Sequence, residues 1–133
     1  MNRSRGRLTR SDDFAHVYRA GRSVANKYLV LYYFERVDSR TAAEEAGVGP
    51  RVGFSVSKRL GGAVERNRVK RALREAFRLC SQSLNCEMDL VFVARTPIVE
   101  LLDKSGLQEV KGKMVEILGK ASLVSRTQGQ GLS

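Results

Sequence analysis

The side chains best suited to chemistry are six cations that recur between positions 66 and 78. They are Arg66, Arg68, Lys70, Arg71, Arg74 and Arg78. A guanidinium group donates two parallel hydrogen bonds to phosphate oxygens and also stacks on exposed bases, whereas a lysine ammonium acts as a point charge. The spacing of these residues therefore indicates a row of sites for successive phosphate groups.

The positive charge of the chain is concentrated in two segments. The 133 residues include 24 Lys and Arg against 14 Asp and Glu, a formal net charge of +10. Residues 1–22 carry a net charge of +4 and residues 51–80 carry +7, whereas residues 23–50 sum to −1 and residues 81–133 to zero. Two dense patches suit a polyphosphate chain better than a small acidic metabolite. The sequence therefore predicts a nucleic acid partner.

A helix must position the six cations. Apolar residues from Val69 onward recur at helical spacing, which predicts a helix over 63–84 with one packed face and one cationic face. A solvated charged face is the ordinary alternative. We favour an anion-binding face because few acidic residues accompany these cations and like charges four residues apart repel. Glu75 lies within one turn of Arg71 and Arg78 and is expected to orient both guanidinium groups.

Aromatic side chains form a second candidate set. The set comprises Phe14 and Tyr18 on a helix predicted over 11–20 and Tyr28, Tyr32 and Phe34 on a strand predicted over 27–34. The last three alternate onto one face of that strand. Aromatic rings beside arginines can stack unpaired bases, but the same rings can also fill an ordinary core. We assign Phe34 to the core, whereas Phe14, Tyr18 and Tyr32 remain open to either role.

The remaining pattern predicts one domain with a sheet covered by helices. Strands are predicted over 51–57 and 88–94, and a last helix over 101–118. The strands over 27–34 and 51–57 are expected to pair antiparallel. The domain is predicted to span residues 1–118, with a basic arm over 1–10, a flexible loop over 37–50 and a disordered tail over 119–133.

Catalysis by the protein itself has little support in the sequence. His16 is the only histidine and has no Cys, Ser or carboxylate at a suitable offset, so we expect it to face solvent or RNA. Cys80 falls on the apolar side of its helix and is expected to be buried, whereas Cys86 is expected to be a free thiol in a turn. Structural zinc needs four ligands, and these residues supply too few. We predict no catalytic residue and no metal ligand.

Targeting segments are not evident. The longest apolar runs fall far short of the roughly 20 residues that a membrane-spanning helix needs. Met1 to Arg10 is polar and carries four arginines, unlike a secretory signal peptide. We therefore expect a cytoplasmic protein with no membrane partner.

Several motifs follow one another in a specific order along residues 7–118. They are Asp13-Phe14 with Tyr18 and Gly21, Ser23-Val24-Ala25-Asn26, Arg51-Val52-Gly53-Phe54-Ser55-Val56-Ser57-Lys58, Ala63-Val64-Glu65-Arg66-Asn67-Arg68-Val69-Lys70-Arg71, and Ala94-Arg95-Thr96-Pro97. Together they resemble the protein subunit of bacterial ribonuclease P. This family often has Gly-Asn before the Ala-Val of the fourth motif, whereas Gly61-Gly62 stands here and lacks a capping amide.

The resemblance implies the non-catalytic protein subunit of a ribonucleoprotein endonuclease that removes the 5′ leader of precursor tRNA. The partners would be the catalytic RNA and the precursor tRNA, with no obligatory protein partner. The RNA would carry out the hydrolysis with Mg²⁺, and the isolated protein would be inactive. The implied fold is α+β, a mixed sheet of about four strands in the order α-β-β-(β)-α-β-α. It would include a left-handed βαβ crossover, an exception to the usual hand.

The resemblance also implies roles for particular residues. The catalytic RNA would be contacted by Arg66, Arg68, Lys70, Arg71 and Arg74, to which we add Asn67, Arg78, Lys58 and Arg59. Phe14, Tyr18 and Tyr32 would line a cleft for the single-stranded leader. The charge distribution agrees independently with the first assignment and only permits the second.

Two other classes of function are open at this stage. The two basic segments alone would equally suit a ribosomal or other structural RNA-binding protein. A self-sufficient nuclease is the third possibility. The RNA that co-purifies from the native cell separates the first two classes, and the activity of RNA-free protein on precursor tRNA tests the third.

Overall fold

The computed structural model describes residues 11–35, 50–81 and 88–121. Its elements are α1 (Ser11–Ala20), β1 (Arg22–Ala25), β2 (Leu29–Glu35), β3 (Arg51–Ser55), a 3₁₀ turn (Lys58–Leu60), α2 (Ala63–Cys80), β4 (Met88–Ala94) and α3 (Pro97–Lys120). This order confirms the predicted α+β class with four strands. The predicted basic arm, the loop over 37–49, Cys86 and the tail beyond 121 lie outside the described residues.

The four strands form one mixed sheet in the order β1-β2-β4-β3. β2 pairs antiparallel with both β1 and β4, and β3 pairs parallel with β4. The expected direct pairing of β2 with β3 is therefore wrong, because β4 lies between them. Six of the seven residues of β4 are buried, as expected for an apolar strand covered on both faces. The parallel unit β3-α2-β4 agrees with the resemblance, and the left-handed path of its crossover stays a prediction.

The strand that hydrophobic patterning missed is β1. It has four residues, of which only Val24 is partly buried. Its pairing with β2 runs from Arg22 opposite Tyr33 to Ala25 opposite Val30. A short edge strand with so little apolar surface gives almost no periodic signal, so the sequence pattern could not indicate it.

The two faces of the sheet carry separate clusters of buried residues. On one face, α2 and α3 cover a core that includes Leu31, Leu90 and Phe92. On the opposite face α1 packs against β2 and β4, and Val17 and Val91 are its buried centre. We call the second one the cleft face. Aromatic residues surround its small core and remain only partly buried.

Helix α2 keeps its predicted start and ends earlier than predicted. It begins at Ala63, after Gly62, and ends at Cys80 rather than at residue 84. Val69, Leu73 and Phe77 are buried on the packed face, and each such side chain contributes about 1.5–3 kcal/mol by leaving water. Cys80 is buried as predicted. Burial raises the pKa of its thiol to about 11, so the thiol is protonated and unreactive at neutral pH.

Helix α3 is longer than the predicted 101–118. It starts at Pro97, because proline fits the first turn of a helix, where its missing amide hydrogen costs nothing. It is interrupted at Gly106, whose φ of 78° separates two helical stretches. It then continues to Lys120, so the first two residues of the predicted disordered tail are helical. None of the helices in the described ranges is long and apolar enough to cross a membrane.

Gly21 allows α1 to turn directly into β1. Its amide donates to the carbonyl of Val17 at 2.9 Å. A Cβ atom at this position would lie 2.4 Å from the carbonyl oxygen of Tyr33 and 2.6 Å from that of Val17. Both obstacles are backbone atoms, so only glycine fits without moving α1 away from β2.

The Gly21→Ala substitution is expected to lower the free energy of unfolding by about 1–3 kcal/mol, because the added methyl group forces the backbone apart. Gly112→Ala is the matched control, since a Cβ at this exposed position of α3 meets no atom within 4 Å. This control is expected to raise stability by about 0.5–1 kcal/mol. Urea denaturation measures both, and equal stabilities for the two variants would contradict the close contact at Gly21.

Candidate nucleic-acid interface

The cationic residues of α2 lie on the side of the helix that faces away from the core. We call Arg66, Arg68, Lys70, Arg71, Arg74 and Arg78 the cationic ridge. Arg71, Arg74 and Arg78 are exposed, as is Asn67, and Lys70 is half-buried. No carboxylate of the described residues forms an ion pair with Lys70, Arg71 or Arg74. The predicted division into one packed and one cationic face is therefore present. Arg66 has no carboxylate partner in these ranges either, so four of the six ridge charges are available to an anion.

The expectation that the ridge cations have almost no acidic partners is wrong for Arg68. Its Nη2 atom lies 2.6 Å from Oε2 of Glu65 and 2.5 Å from Oδ1 of Asp103. Glu65 is one turn away on α2, whereas Asp103 belongs to α3, which packs beside α2. The hydrogen bond with Glu65 makes the largest contribution to raising the pKa of Arg68. An RNA phosphate would have to compete with two carboxylates for this guanidinium group.

Arg78 pairs with Glu75, as the one-turn spacing predicts. Its Nε and Nη2 atoms donate to the two carboxylate oxygens at 3.1 and 2.5 Å. These hydrogen bonds hold the pKa of Glu75 below its ordinary value. The expected second role of Glu75, orienting Arg71, is wrong, because no ion pair or hydrogen bond joins these two side chains.

The residues that precede α2 extend the ridge. Lys58 and Arg59 are exposed on the 3₁₀ turn between β3 and α2. The Ser57 hydroxyl accepts from the Arg59 amide at 3.3 Å, which fixes the start of this turn. Arg66 Nε donates to the Gly61 carbonyl at 3.3 Å, which ties the turn to the first helical residues. The predicted RNA-binding residues thus lie on two consecutive elements, the 3₁₀ turn and α2.

Three of the aromatic candidates meet on the cleft face. The ring centroid of Tyr18 lies 4.8 Å from that of Tyr32 and 6.3 Å from that of Phe14, both in edge-to-face arrangements. We call these three residues the aromatic cleft. Tyr18 exposes 41% of its surface, whereas Phe14 and Tyr32 are half-buried. The rings are therefore neither a sealed core nor a free surface, and they leave apolar area open to a ligand.

Ser55 of β3 belongs to this cleft, although the sequence offered no signal for it. Partial burial raises the pKa of Tyr18, and the nearby Ser55 side chain opposes that shift as a hydrogen-bond partner of the phenol group. Ser55 is the last residue of β3, and β3 leads directly into the basic 3₁₀ turn. One residue at the edge of the aromatic cleft is therefore close to Lys58 in the sequence.

Two other aromatic residues and the single histidine occupy different places. Phe34 is half-buried on the cleft face, and the His16 ring lies edge-to-face on it at 4.6 Å. His16 is exposed, as expected. Tyr28 is on the opposite face, so its predicted alternation with Tyr32 is wrong. The reason is a turn in which Asn26 Oδ1 accepts from the amides of residues 28 and 29, so the strand begins only after Tyr28.

A second group of cations was not predicted. It consists of Lys27, Arg95, Lys113 and Lys120, which gather around the turn between β1 and β2. Lys120 Nζ donates to the Ala25 carbonyl at 2.8 Å, and Arg95 Nη1 donates to the Asn26 carbonyl at 3.0 Å. Lys27 and Lys113 both lie within 6 Å of the Tyr28 ring centre. These residues come from segments with almost no net charge, so only the fold reveals the group.

The fold and the charge distribution define a class of small basic α+β proteins with a four-stranded mixed sheet. The sequence profile of the family described as Ribonuclease P matches residues 2–121. The ribonuclease P protein component of Thermoanaerobacter sp. (strain X514) is 38% identical over 123 residues, which cover 92% of this chain and 95% of that protein. The corresponding protein of Halalkalibacterium halodurans is 37% identical over 118 residues, 89% of each chain.

Solved structures agree with these relatives. The Staphylococcus aureus RNase P protein superposes with a TM-score of 0.72 at 32% identity, covering 90% of this chain and 98% of that one. The protein from Thermotoga maritima gives the same TM-score at 25% identity, covering 86% and 96%. The chain belongs to the ribonuclease P protein family, whose members are the protein components of a tRNA-processing ribonucleoprotein. This confirms the resemblance found in the sequence.

The geometry of the aromatic cleft predicts how Tyr18 titrates. Its pKa is expected above the ordinary value of 10.0, because burial disfavours the phenolate. Ser55→Ala is expected to raise that pKa further, since it removes the hydrogen bond that lowers it. Ser105→Ala on the exposed part of α3 is the control and is expected to leave the titration unchanged. NMR of the tyrosine ring carbons measures the pKa, and no response to Ser55→Ala would contradict the contact.

Proposed function

We propose that this protein binds the catalytic RNA of ribonuclease P through the cationic ridge and the 5′ leader of precursor tRNA through the aromatic cleft. It thereby assists removal of the leader and formation of the mature 5′ end in the cytoplasm. The observation that carries this proposal is a set of four cations on α2 that form no ion pair with a carboxylate of the described residues. They are Arg66, Lys70, Arg71 and Arg74. The family relationship supports the identity of both RNAs.

The ridge is suited to RNA phosphates because its charges are closely spaced and held by a rigid helix. Neutralising a phosphate releases condensed counterions, which gives favourable but salt-dependent binding. Arg71 and Arg74 are one turn apart and can each donate a fork of N–H groups. Arg68 and Arg78 act differently, because their carboxylate partners fix their positions and reduce their net charge.

The aromatic cleft is suited to single-stranded RNA because unpaired bases can stack on exposed aromatic rings. Tyr18 and Tyr32 offer such rings beside the Ser55 hydroxyl. A base-paired stem keeps its bases stacked on each other and gains little from these rings. The cleft therefore favours a leader strand over the folded body of tRNA.

Mg²⁺ belongs to the RNA in this proposal. Within the described residues, no three His, Cys, Asp or Glu side chains lie close enough together to hold a metal ion. Bound to RNA, the ion would lower the repulsion between phosphates and activate the attacking water. The contribution of this chain is to bring cationic side chains to the phosphates and to hold the leader, so it acts on affinity more than on the chemical step.

The test of the function is reconstitution at low magnesium. Adding the full-length protein to a ribonuclease P RNA is expected to restore leader removal from precursor tRNA, because the ridge replaces part of the screening that Mg²⁺ provides. The control is RNA-free protein with magnesium, which is expected to be inactive. Cleavage by the protein alone would assign the chemistry to the protein. Binding of ribosomal RNA with no effect on the ribonuclease P RNA would favour a structural RNA-binding role.

The role of the cleft predicts selective loss of leader binding. Tyr18→Leu in the reconstituted complex is expected to weaken binding of leader-bearing precursor by about 5- to 150-fold, the range for losing one base–aromatic stack. Binding of mature tRNA is expected to stay the same. Val115→Ala, a change of an exposed apolar residue on α3, is the matched control with no effect on either RNA. Equal losses for precursor and mature tRNA would show that Tyr18 has only a structural role.

A further inference from the structure

A groove of about 710 Å³ lies between the outer strand β3 and the second half of α2. Val52, Phe54 and Phe77 form its floor. Its rim consists of Arg71, Arg74, Glu75, Arg78 and Ser81. The groove is on the opposite side of the sheet from the aromatic cleft. Its size lies within the range of small-ligand sites in proteins, and its combination of an apolar floor with a charged rim is typical of them.

The floor of the groove presents an aromatic ring to a ligand. Phe92 is stacked on Phe54, with ring centroids 5.9 Å apart and an angle of 19° between the planes. Phe77 meets Phe54 edge-to-face at 6.3 Å. These contacts use one face and part of the edge of the Phe54 ring, and Phe54 is only half-buried. The other face can therefore continue the stack with a flat ring from outside.

The rim of the groove is complementary to an anion. Three arginines and one glutamate give it a net charge of +2. Arg78 and Glu75 neutralise each other through their two hydrogen bonds. The positive charge therefore resides on Arg71 and Arg74, which have no carboxylate partner among the described residues. A ligand that fits both floor and rim carries a flat ring and a negative charge within a few ångströms of each other.

We propose that the groove between β3 and α2 binds one unpaired nucleotide of an RNA, with the base stacked on Phe54 and the phosphate on Arg71 and Arg74. This rests on the proposed binding of RNA through α2 and adds a base-recognition site to a surface otherwise expected to read only phosphates. An unpaired nucleotide is the one part of an RNA that offers an aromatic face beside a phosphate, because paired bases are covered by their neighbours. A free nucleoside monophosphate shares this chemistry.

The test compares three RNA hairpins that share the same loop and differ at one position of the stem. The stem is fully paired in the first, has a single bulged adenosine in the second, and has an abasic residue at the bulge in the third. Wild-type full-length protein is expected to bind the adenosine bulge about 5- to 150-fold more tightly than the abasic bulge, the range for one stacked base. Phe54→Leu is expected to abolish this preference and to retain binding of the paired hairpin. Tyr18→Leu, which alters only the aromatic cleft, is expected to preserve the preference.

Failure of the proposed groove site can be distinguished from failure of the proposed RNA binding. In wild-type protein, the amide NMR shifts that separate the two bulged hairpins are expected in β3 and in the second half of α2, a result that does not depend on how well Phe54→Leu folds. Equal affinity of the wild-type protein for both bulged hairpins would show that the groove does not bind the base. Loss of the preference in Tyr18→Leu but not in Phe54→Leu would show the same. Either result would leave the proposed function intact. If adenosine monophosphate bound as tightly as the bulged hairpin, the groove would be a site for a free nucleotide, and the proposal that it binds a nucleotide of an RNA would be wrong. Failure to bind any hairpin would overturn RNA binding itself.

Discussion

The structure depends on the packing of the apolar face of α2 against the core. This packing must outweigh the repulsion among the like charges on the opposite face of the same helix. Arg66, Lys70 and Arg74 follow one another at four-residue spacing and have no carboxylate partner among the described residues, and each of the two neighbouring pairs costs about 0.2–0.5 kcal/mol in an isolated helix. Burial of one large apolar side chain on the opposite face contributes about 1.5–3 kcal/mol. The core therefore outweighs the repulsion, and the charges remain available to an anion that relieves it.

The strand β4 lies between the core under α2 and the cleft face. One of its faces supports the core under α2 and α3, and the other carries Val91, against which α1 packs. A helix on the second face covers β2 and β4 and leaves the aromatic rings beside it partly exposed. The cationic ridge and the aromatic cleft thus both depend on this sheet, because α2 packs on one of its faces and α1 on the other. The 3₁₀ turn after β3, which carries Lys58, connects them along the chain.

Periodicity predicted the elements with strong patterns, and it failed where distant residues decide the outcome. The start of α2, its packed face and the burial of Cys80 follow from local spacing. The position of β4 between β2 and β3 depends on which of three apolar strands pair with each other. The sequence of one strand alone does not determine its partners. The ion pair of Arg68 with Asp103 joins residues 35 positions apart, and the hydrogen bond from Lys120 to the Ala25 carbonyl joins residues 95 positions apart. The partial exposure of Tyr18 depends on how α1 crosses the sheet.

The most direct test of the ridge is the salt dependence of binding to ribonuclease P RNA. The slope of log affinity against log salt is expected to become shallower by about 1.8 when Arg71→Gln and Arg74→Gln are combined, about 0.9 for each lost contact with a duplex-like phosphate. Lys104→Gln, which changes a cation paired with Glu100 on α3, is expected to leave the slope unchanged. An unaltered slope in the double variant would show that this face of α2 meets only solvent and would contradict the account.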